Sequence, residues 1–280
     1  MRREGGNSRQ IDALANGFHR MPRTDFRTPR VYLDYPLAAG TGVPLNRDQA
    51  NHLRNVLRLG QGDAVLLFNG RDGEWRATLA GTGKKTLAAE VGEREREQPA
   101  AADLHFLFAP LKHARLDYMA QKAVEMGVSK LQPVITRHTQ VARVNTERMR
   151  ANAIEAAQQC GVLSIPEVGE PVPFKSLFRA ADADRLLIFC DEDAEVKDPV
   201  AALAAVRPAP SALLPAAAAD VAQPLAVLIG PEGGFSDEER AALTERPNVL
   251  RLALGPRIMR ADTAAVAALA LVQAVLGDWV

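Results

Sequence analysis

Cysteine is nearly absent from this 280-residue chain, Cys160 and Cys190 being the only two. Neither stands in a Cys-x-x-Cys pair or beside a histidine. That excludes a disulfide framework, leaves no metal to be expected, and fits a reducing cytoplasm. Long apolar runs are missing as well. The most apolar stretch, Thr263 to Val275, contains Gln273 and falls short of the ~20 residues that span a bilayer. It reads as a buried helix, and no membrane partner is expected. Net charge is lacking too: Lys plus Arg and Asp plus Glu both number 34, so no basic domain announces itself. Residues 1–28 hold Arg2, Arg3, Arg9, Arg20, Arg23 and Arg27 but no apolar segment resembling a signal peptide. They are expected to form a mostly disordered leader, with Met21 an alternative start.

What is present supports one large domain or two modest ones, with 47% hydrophobic and 24% charged residues. The overall balance conceals a local excess. From Lys112 to Arg150 eight basic residues face three acids, a charge of +5. That suffices to hold a phosphate backbone, although a solvated helical face accounts for the same count.

Two textures follow one another along the chain. Short extended runs at 31–33, 64–68, 74–79 and 86–91 are separated by turn signals, among them Asn69-Gly70-Arg71-Asp72-Gly73. With one short helix at Arg47 to Val56 they predict a small β-barrel over residues 29–97, and Gly92 to Asp103 reads as a linker. From Leu104 strands alternate with helices, which predicts an α/β domain with a mostly parallel sheet over 103–280. Strands are expected at 104–109, 128–136, 185–189, 225–229 and 249–252. Helices are expected at 115–126 and 146–160, the second capped by Thr146 and stopped by Gly161. The Ala/Pro-rich stretch from Ala194 to Pro224 is expected to be a poorly packed surface excursion with one frayed helix.

The strongest local pattern is Leu228-Ile229-Gly230-Pro231-Glu232-Gly233-Gly234-Phe235-Ser236-Asp237-Glu238-Glu239. A buried strand runs into a glycine-rich turn, and Ser236 with Glu239 forms a capping box that opens a helix. A phosphate cradle calls for Lys and Ser/Thr after the glycines, whereas this turn supplies Glu232. A ligand with a cationic centre suits it better, and S-adenosylmethionine carries a sulfonium and an amine, although a purely structural strand-to-helix turn accounts for the same pattern. The same grammar recurs at Leu252-Ala253-Leu254-Gly255-Pro256-Arg257-Ile258-Met259-Arg260-Ala261-Asp262-Thr263, where Asp262 or Thr263 is positioned to cap the helix. Arg257 and Arg260 beside the turn suit a phosphate or a uracil carbonyl, or else a salt bridge within their own domain.

Together these segments resemble the ligand loops of the SPOUT superfamily of methyltransferases, and more narrowly the RsmE family. Gln121-Lys122-Ala123-Val124-Glu125-Met126-Gly127-Val128, the run Glu155 to Gly161, Pro29-Arg30-Val31-Tyr32 and Asn51 to Arg58 fit the family in the right order. The resemblance implies a PUA-like RNA-binding barrel followed by a domain with a deep trefoil knot, and a homodimer. It also implies S-adenosylmethionine as cofactor and methylation of N3 of a uridine in 16S ribosomal RNA of the small ribosomal subunit. Cofactor contacts are implied along Phe189, Leu228, Gly230, Glu232, Gly233, Gly234, Leu252, Leu254, Gly255, Ile258, Met259, Thr263 and Ala264. Two positions depart from the family pattern: Asp262 stands where Glu is common, and Val162 where Arg often follows the Gln-Cys-Gly run.

Uridine N3 carries a proton and is a poor nucleophile until it leaves. The chemistry therefore needs an acceptor near N3 and donors where charge develops on the ring oxygens. Arg260 is the expected donor, with Glu232 or Asp262 accepting the proton. Arg30, Arg54, Arg58, Lys112, Arg115 and Lys122 are expected to hold RNA. Three other readings stay open on sequence: the same fold acting on another rRNA or tRNA base, a non-catalytic ribosome assembly factor, and a nucleotide-binding Rossmann enzyme.

Overall fold

The computed structural model describes residues 25, 27–81, 86–100, 102–141, 143–177, 184–195, 198–207 and 223–279. Most of the expected leader lies outside them.

The first unit is a five-stranded sheet in the order β1-β3-β4-β5-β2. Its strands are β1 (Arg30–Tyr32), β2 (Gly42–Leu45), β3 (Ala64–Phe68), β4 (Glu74–Gly81) and β5 (Leu87–Arg96). β1 runs parallel to β3 and the other pairings are antiparallel. Alternation along these strands buries Val31, Val43, Val65, Leu67, Ala77, Leu79, Ala89 and Val91 in one core. The expected linker is corrected here. Its first five residues continue β5 to Arg96, because Arg94 and Arg96 register with Trp75 and Glu74 of β4. The expected helix is α1 (Arg47–Asn51), capped by an Asn46–Gln49 capping box, and it passes into a π-helical turn over His52–Val56.

The second unit carries the parallel sheet β12-β10-β11-β6-β7-β8, with β9 also pairing β7. These strands are β6 (Leu104–Phe108), β7 (Lys130–Ile135), β8 (Glu167–Val168), β9 (Val172–Pro173), β10 (Leu186–Cys190), β11 (Leu225–Ile229) and β12 (Val249–Leu252). Every pairing among them is parallel. Such a sheet is buried on both faces, and β11 obliges with five consecutive buried residues. Helices α2 (His113–Glu125), α3 (Thr146–Cys160), α4 (Pro199–Ala205), α5 (Asp237–Thr244) and α6 (Ala261–Val275) complete the unit. Asn145, one residue before the expected Thr146, caps α3 by accepting from the Arg148 N–H, and Gly161 ends it in the left-handed region at φ 69°. Arg260 occupies the cap position of α6 with no side-chain cap bond, so neither Asp262 nor Thr263 caps that helix.

The Ala/Pro-rich stretch is not wholly a surface excursion. Residues 208–222 lie outside the described set, but α4 is capped by Asp198 and buries Leu203 completely. α4 packs on α6, whose Ala265, Ala268, Leu269 and Val272 are buried in the main core.

The two units share that core. Phe68 of β3 is buried among Phe106, Phe108, Met149 and Ala153 of the α/β unit, and Tyr32 meets it edge-on at 5.7 Å between ring centroids. Beside this contact lies a buried ionic triad. Glu74 accepts from Arg30 Nε at 2.8 Å, from Arg96 Nε at 2.8 Å and from Arg96 Nη2 at 2.9 Å. Arg96 Nη2 also donates to the carbonyl of Gly161 at the end of α3, and Tyr32 N–H donates to Gln158 of the same helix.

Candidate active site

Parallel strands deliver their following loops to one edge of the sheet, the edge where open α/β sheets bind ligands. Here the loops after β6, β7, β10, β11 and β12 meet there. Both glycine turns are among them, on strands β11 and β12 that flank β10.

The first turn is shaped by close approach. A Cβ on Gly230 would lie 2.5 Å from Cε2 of Phe235, whose ring fills the space over the strand end against Phe189. Gly234 sits at φ +68°, and a Cβ there would meet Glu192 Oε1 at 2.7 Å. His138 after β7 places Nδ1 3.1 Å from the carbonyls of both Gly233 and Gly234, so its N–H is shared between them. The expected capping box is present: Ser236 accepts from the Glu239 N–H, and Glu239 accepts from the Ser236 N–H. Glu239 also accepts from the Arg137 N–H, which ties the turn to the loop after β7.

Below the turns, Asp191 at the end of β10 is a buried carboxylate held by two guanidiniums. Arg240 Nε of α5 lies at 3.2 Å and Arg251 Nε of β12 at 2.7 Å. Nothing in the sequence marked this tie, whose partners lie 49 and 60 residues apart. Asp191, Glu192 and Asp193 could together hold a cation, but the arginines already neutralise them.

Arg115 organises the acids. It was expected at RNA; instead its Nε and Nη2 each donate to Asp262 at 3.1 Å, and its Nη1 donates to Glu232 at 2.9 Å. One guanidinium on α2 thus holds an acid from each glycine-turn segment. The Asp262 carboxyl is pushed below its ordinary range, chiefly by the Arg115 hydrogen bond and against the opposing pull of partial burial. The shorter acid at this position therefore reaches a bidentate partner. Arg260 and Arg257 are exposed and make no side-chain hydrogen bond or ion pair among the described residues. Arg115 occupies Asp262, which a self-contained Arg260–Asp262 bridge would need.

The remaining expected contacts divide by burial. Phe189, Leu228 and Leu252 are fully buried and brace the loops from below, so they can meet a ligand only through backbone. Leu254, Met259 and Ala264 are half-buried, Gly255 and Thr263 exposed, and Ile258 is 91% exposed. No hydrogen bond among the described residues uses the backbone N–H of Leu254, Gly255, Ile258 or Met259. Open donors, apolar walls and the Glu232 carboxylate suit a ligand that combines a heterocycle with a cationic centre. The arrangement offers no cradle of lysine and hydroxyls for a polyphosphate.

Arg30 requires correction: its side chain is 3% exposed and committed to Glu74, so it holds the two units together and does not reach RNA. Lys122 is held by Glu125 at 2.8 Å and lies over the Tyr118 ring. Arg54 donates to the Thr86 carbonyl, while Arg58 and Lys112 are exposed. Val162, where the family often has arginine, packs against the main core beside buried Leu163.

The chain is similar over most of its length to known proteins. It is 28% identical over 245 residues to ribosomal RNA small subunit methyltransferase E of Rickettsia conorii, covering 87% of this chain and 94% of that one. Identity to the protein of the same name from Bacillus subtilis is 27% over 233 residues, covering 80% and 87%. The crystal structure of a ribosomal RNA small subunit methyltransferase E from Neisseria gonorrhoeae, bound to S-adenosyl methionine, superposes with a TM-score of 0.74. That match covers 90% of this chain and 100% of the other at 26% identity. Residues 45–92 match the PUA domain of RNA methyltransferases, over part of the five-stranded sheet and its helix. Residues 97–273, the whole α/β unit down to the buried end of α6, match the RNA methyltransferase domain, and to that family this chain belongs.

Proposed function

We propose that this chain methylates N3 of a uridine in 16S ribosomal RNA, using S-adenosylmethionine. The observation that carries the reading is the pairing of two glycine turns on the parallel strands either side of β10, their acids clamped by Arg115 and Arg260 left without a partner among the described residues. Relatives named for small-subunit ribosomal RNA support the substrate, and the neighbour solved with S-adenosyl methionine supports the cofactor.

The cofactor supplies an electrophilic methyl group on a sulfonium. Glu232, Gly233, Leu254, Gly255 and Met259 hold and orient it, with the fully buried strand ends as a rigid base. Arg260 faces the ring oxygen on which charge develops as the N3 proton leaves. Asp262, kept ionised by a bidentate partner, is a poor proton acceptor and serves to fix Arg115. Glu232 makes a single bond to Arg115 with a side chain 43% exposed, and it takes the proton. The target base leaves its stack to reach these groups.

The same reading carries a trefoil knot through the loops after β10, β11 and β12, a homodimer, and a place in the cytoplasm. Ile258 on the site loop and Trp279 after α6, 55% exposed, are apolar surfaces that a second protomer would cover. Among the described residues no helix is long and apolar enough to cross a membrane.

Arg260→Ala tests the assignment. Single-turnover methylation of small-subunit RNA should slow by roughly 10², the scale seen when one such donor is removed, with the melting temperature unchanged. A near-normal rate in a stable variant would remove Arg260 from the mechanism, and methylation mapped to another base would overturn the N3 assignment.

A further inference from the structure

A cleft separate from the glycine turns opens between the N-terminal halves of α2 and α3, closed on its third side by the loop that follows β7. Its volume is about 130 Å³, close to the ~150 Å³ of a cavity that holds a benzene-sized ring. Leu111, Leu116, Ala120 and Met149 give it an apolar floor, with Leu111, Ala120 and Met149 almost fully buried. The rim carries three basic residues, Lys112, Arg143 and Arg148, with one acid, Asp117, and two amides.

The rim residues are not equally committed. Arg148 is engaged with Asp117 through bonds of 3.1 and 2.6 Å, and Asn152 Nδ2 donates to the same acid at 2.7 Å. Asn145 Oδ1 caps α3. The side chains of Lys112 and Arg143, by contrast, are exposed and make no hydrogen bond or ion pair among the described residues. Asn145 Nδ2 and Asn152 Oδ1, a donor and an acceptor, are likewise unused there. The cleft therefore offers an apolar surface for a flat ring, an amide donor and acceptor beside it, and two available cations at its mouth.

Its position matters as much as its chemistry. α2 follows β6 and α3 follows β7, so both helices begin at the carboxyl edge of the sheet, where the glycine turns lie. Lys112 at the cap of α2 is three residues from Arg115, which holds Glu232 and Asp262. We propose that this cleft is a nucleotide subsite that receives one unpaired base of the RNA next to the methylated nucleotide, with its phosphate on Lys112 and Arg143. A single-stranded nucleotide presents the matching pair of features, a flat face for the apolar floor and an anion for the rim. The proposal rests on the reading of this chain as an RNA methyltransferase.

The test uses full-length protein and a 16S ribosomal RNA transcript carrying 4-thiouridine. Binding is measured against salt concentration, followed by irradiation and peptide mapping. Each phosphate contact to a single strand contributes ~0.7 to the log-log salt slope. Replacing Lys112 and Arg143 together with Ala should lower that slope by about 1.4 and leave cofactor affinity unchanged. Wild-type protein should crosslink within residues 111–120 or 141–152, and Val141→Trp, which narrows the mouth, should abolish that crosslink while retaining overall RNA binding. An unchanged slope, or crosslinks confined to other peptides while wild type binds RNA tightly, would overturn the subsite and leave the enzyme assignment standing. Absence of RNA binding by wild type would instead overturn the functional reading and the subsite with it.

Discussion

Removing the Arg115 guanidinium should uncouple the two acids of the site, and the size of the effect follows from its three bonds. Arg115→Met keeps much of the apolar stem and deletes the charge. Hydrogen bonds to charged groups contribute ~1.5–3 kcal/mol when sheltered, and exposed ion pairs ~0.2–1 kcal/mol. Asp262, with a side chain 18% exposed, lies towards the sheltered end, and Glu232, at 43%, towards the exposed one. The sum is about 2 kcal/mol, which for a chain of this length lowers the melting temperature by about 3–4 °C. Asp262 is held below its ordinary pKa, so its contribution is complete above the unfolded value of ~3.9 and is lost as pH falls through the lower folded value. The gap between wild type and variant should therefore stay constant from about pH 5 to 8 and narrow only below about pH 4. Calorimetry should show cofactor affinity at least tenfold weaker, because the Glu232 turn and the start of α6 lose their common tether. Arg115→Lys should recover only part, since an ammonium cannot serve both acids with one planar fork. Melting within about 1 °C of wild type at pH 7, together with unchanged cofactor affinity, would refute the clamp.

Three further outcomes are expected. Gly230→Ala drives a Cβ into the Phe235 ring and should cost ~1–3 kcal/mol in a denaturant melt, with loss of cofactor binding. Arg30→Ala should destabilise by about 3 kcal/mol, because it strips one partner from the buried Glu74, while the salt slope of RNA binding stays unchanged. Cys190, its thiol pushed up to about 12 by burial, should resist a thiol reagent at pH 8 that slowly modifies the exposed Cys160, giving one reactive cysteine per folded chain.

Local signals carried much of this fold. β3, β11 and β12 have the bounds their apolar runs suggest, since turn residues bracket each run and its length is that of a strand, too short for a helix. The Ser236–Glu239 capping box is likewise a four-residue pattern whose physics is complete within itself. β2 escaped because four residues with Pro44 among them read as a turn, a composition tolerated only on an edge strand. The end of β5 escaped because alternating Glu and Arg look solvated until Arg96 meets Glu74 across the sheet. Roles that depend on distant partners were the least legible. Which arginine is buried turns on Glu74, 44 residues beyond Arg30, and what Arg115 does turns on Asp262, 147 residues away. The glycine turns could be found from sequence because each is one contiguous segment; the clamp between them could not.

The ionic triad of Arg30, Glu74 and Arg96, bonded to the end of α3, has a consequence for how substrates are chosen. With Phe68 sunk into the larger core, the small sheet cannot swing as a tethered module; it is one arm of a fixed calliper whose other arm is the glycine-turn edge. On the expectation that the small sheet also holds RNA, an RNA that bears the right base but the wrong spacing to its second contact would fill one arm and miss the other. Selection then acts on the folded shape of the RNA, and a loosened hinge would admit more molecules while modifying each less often.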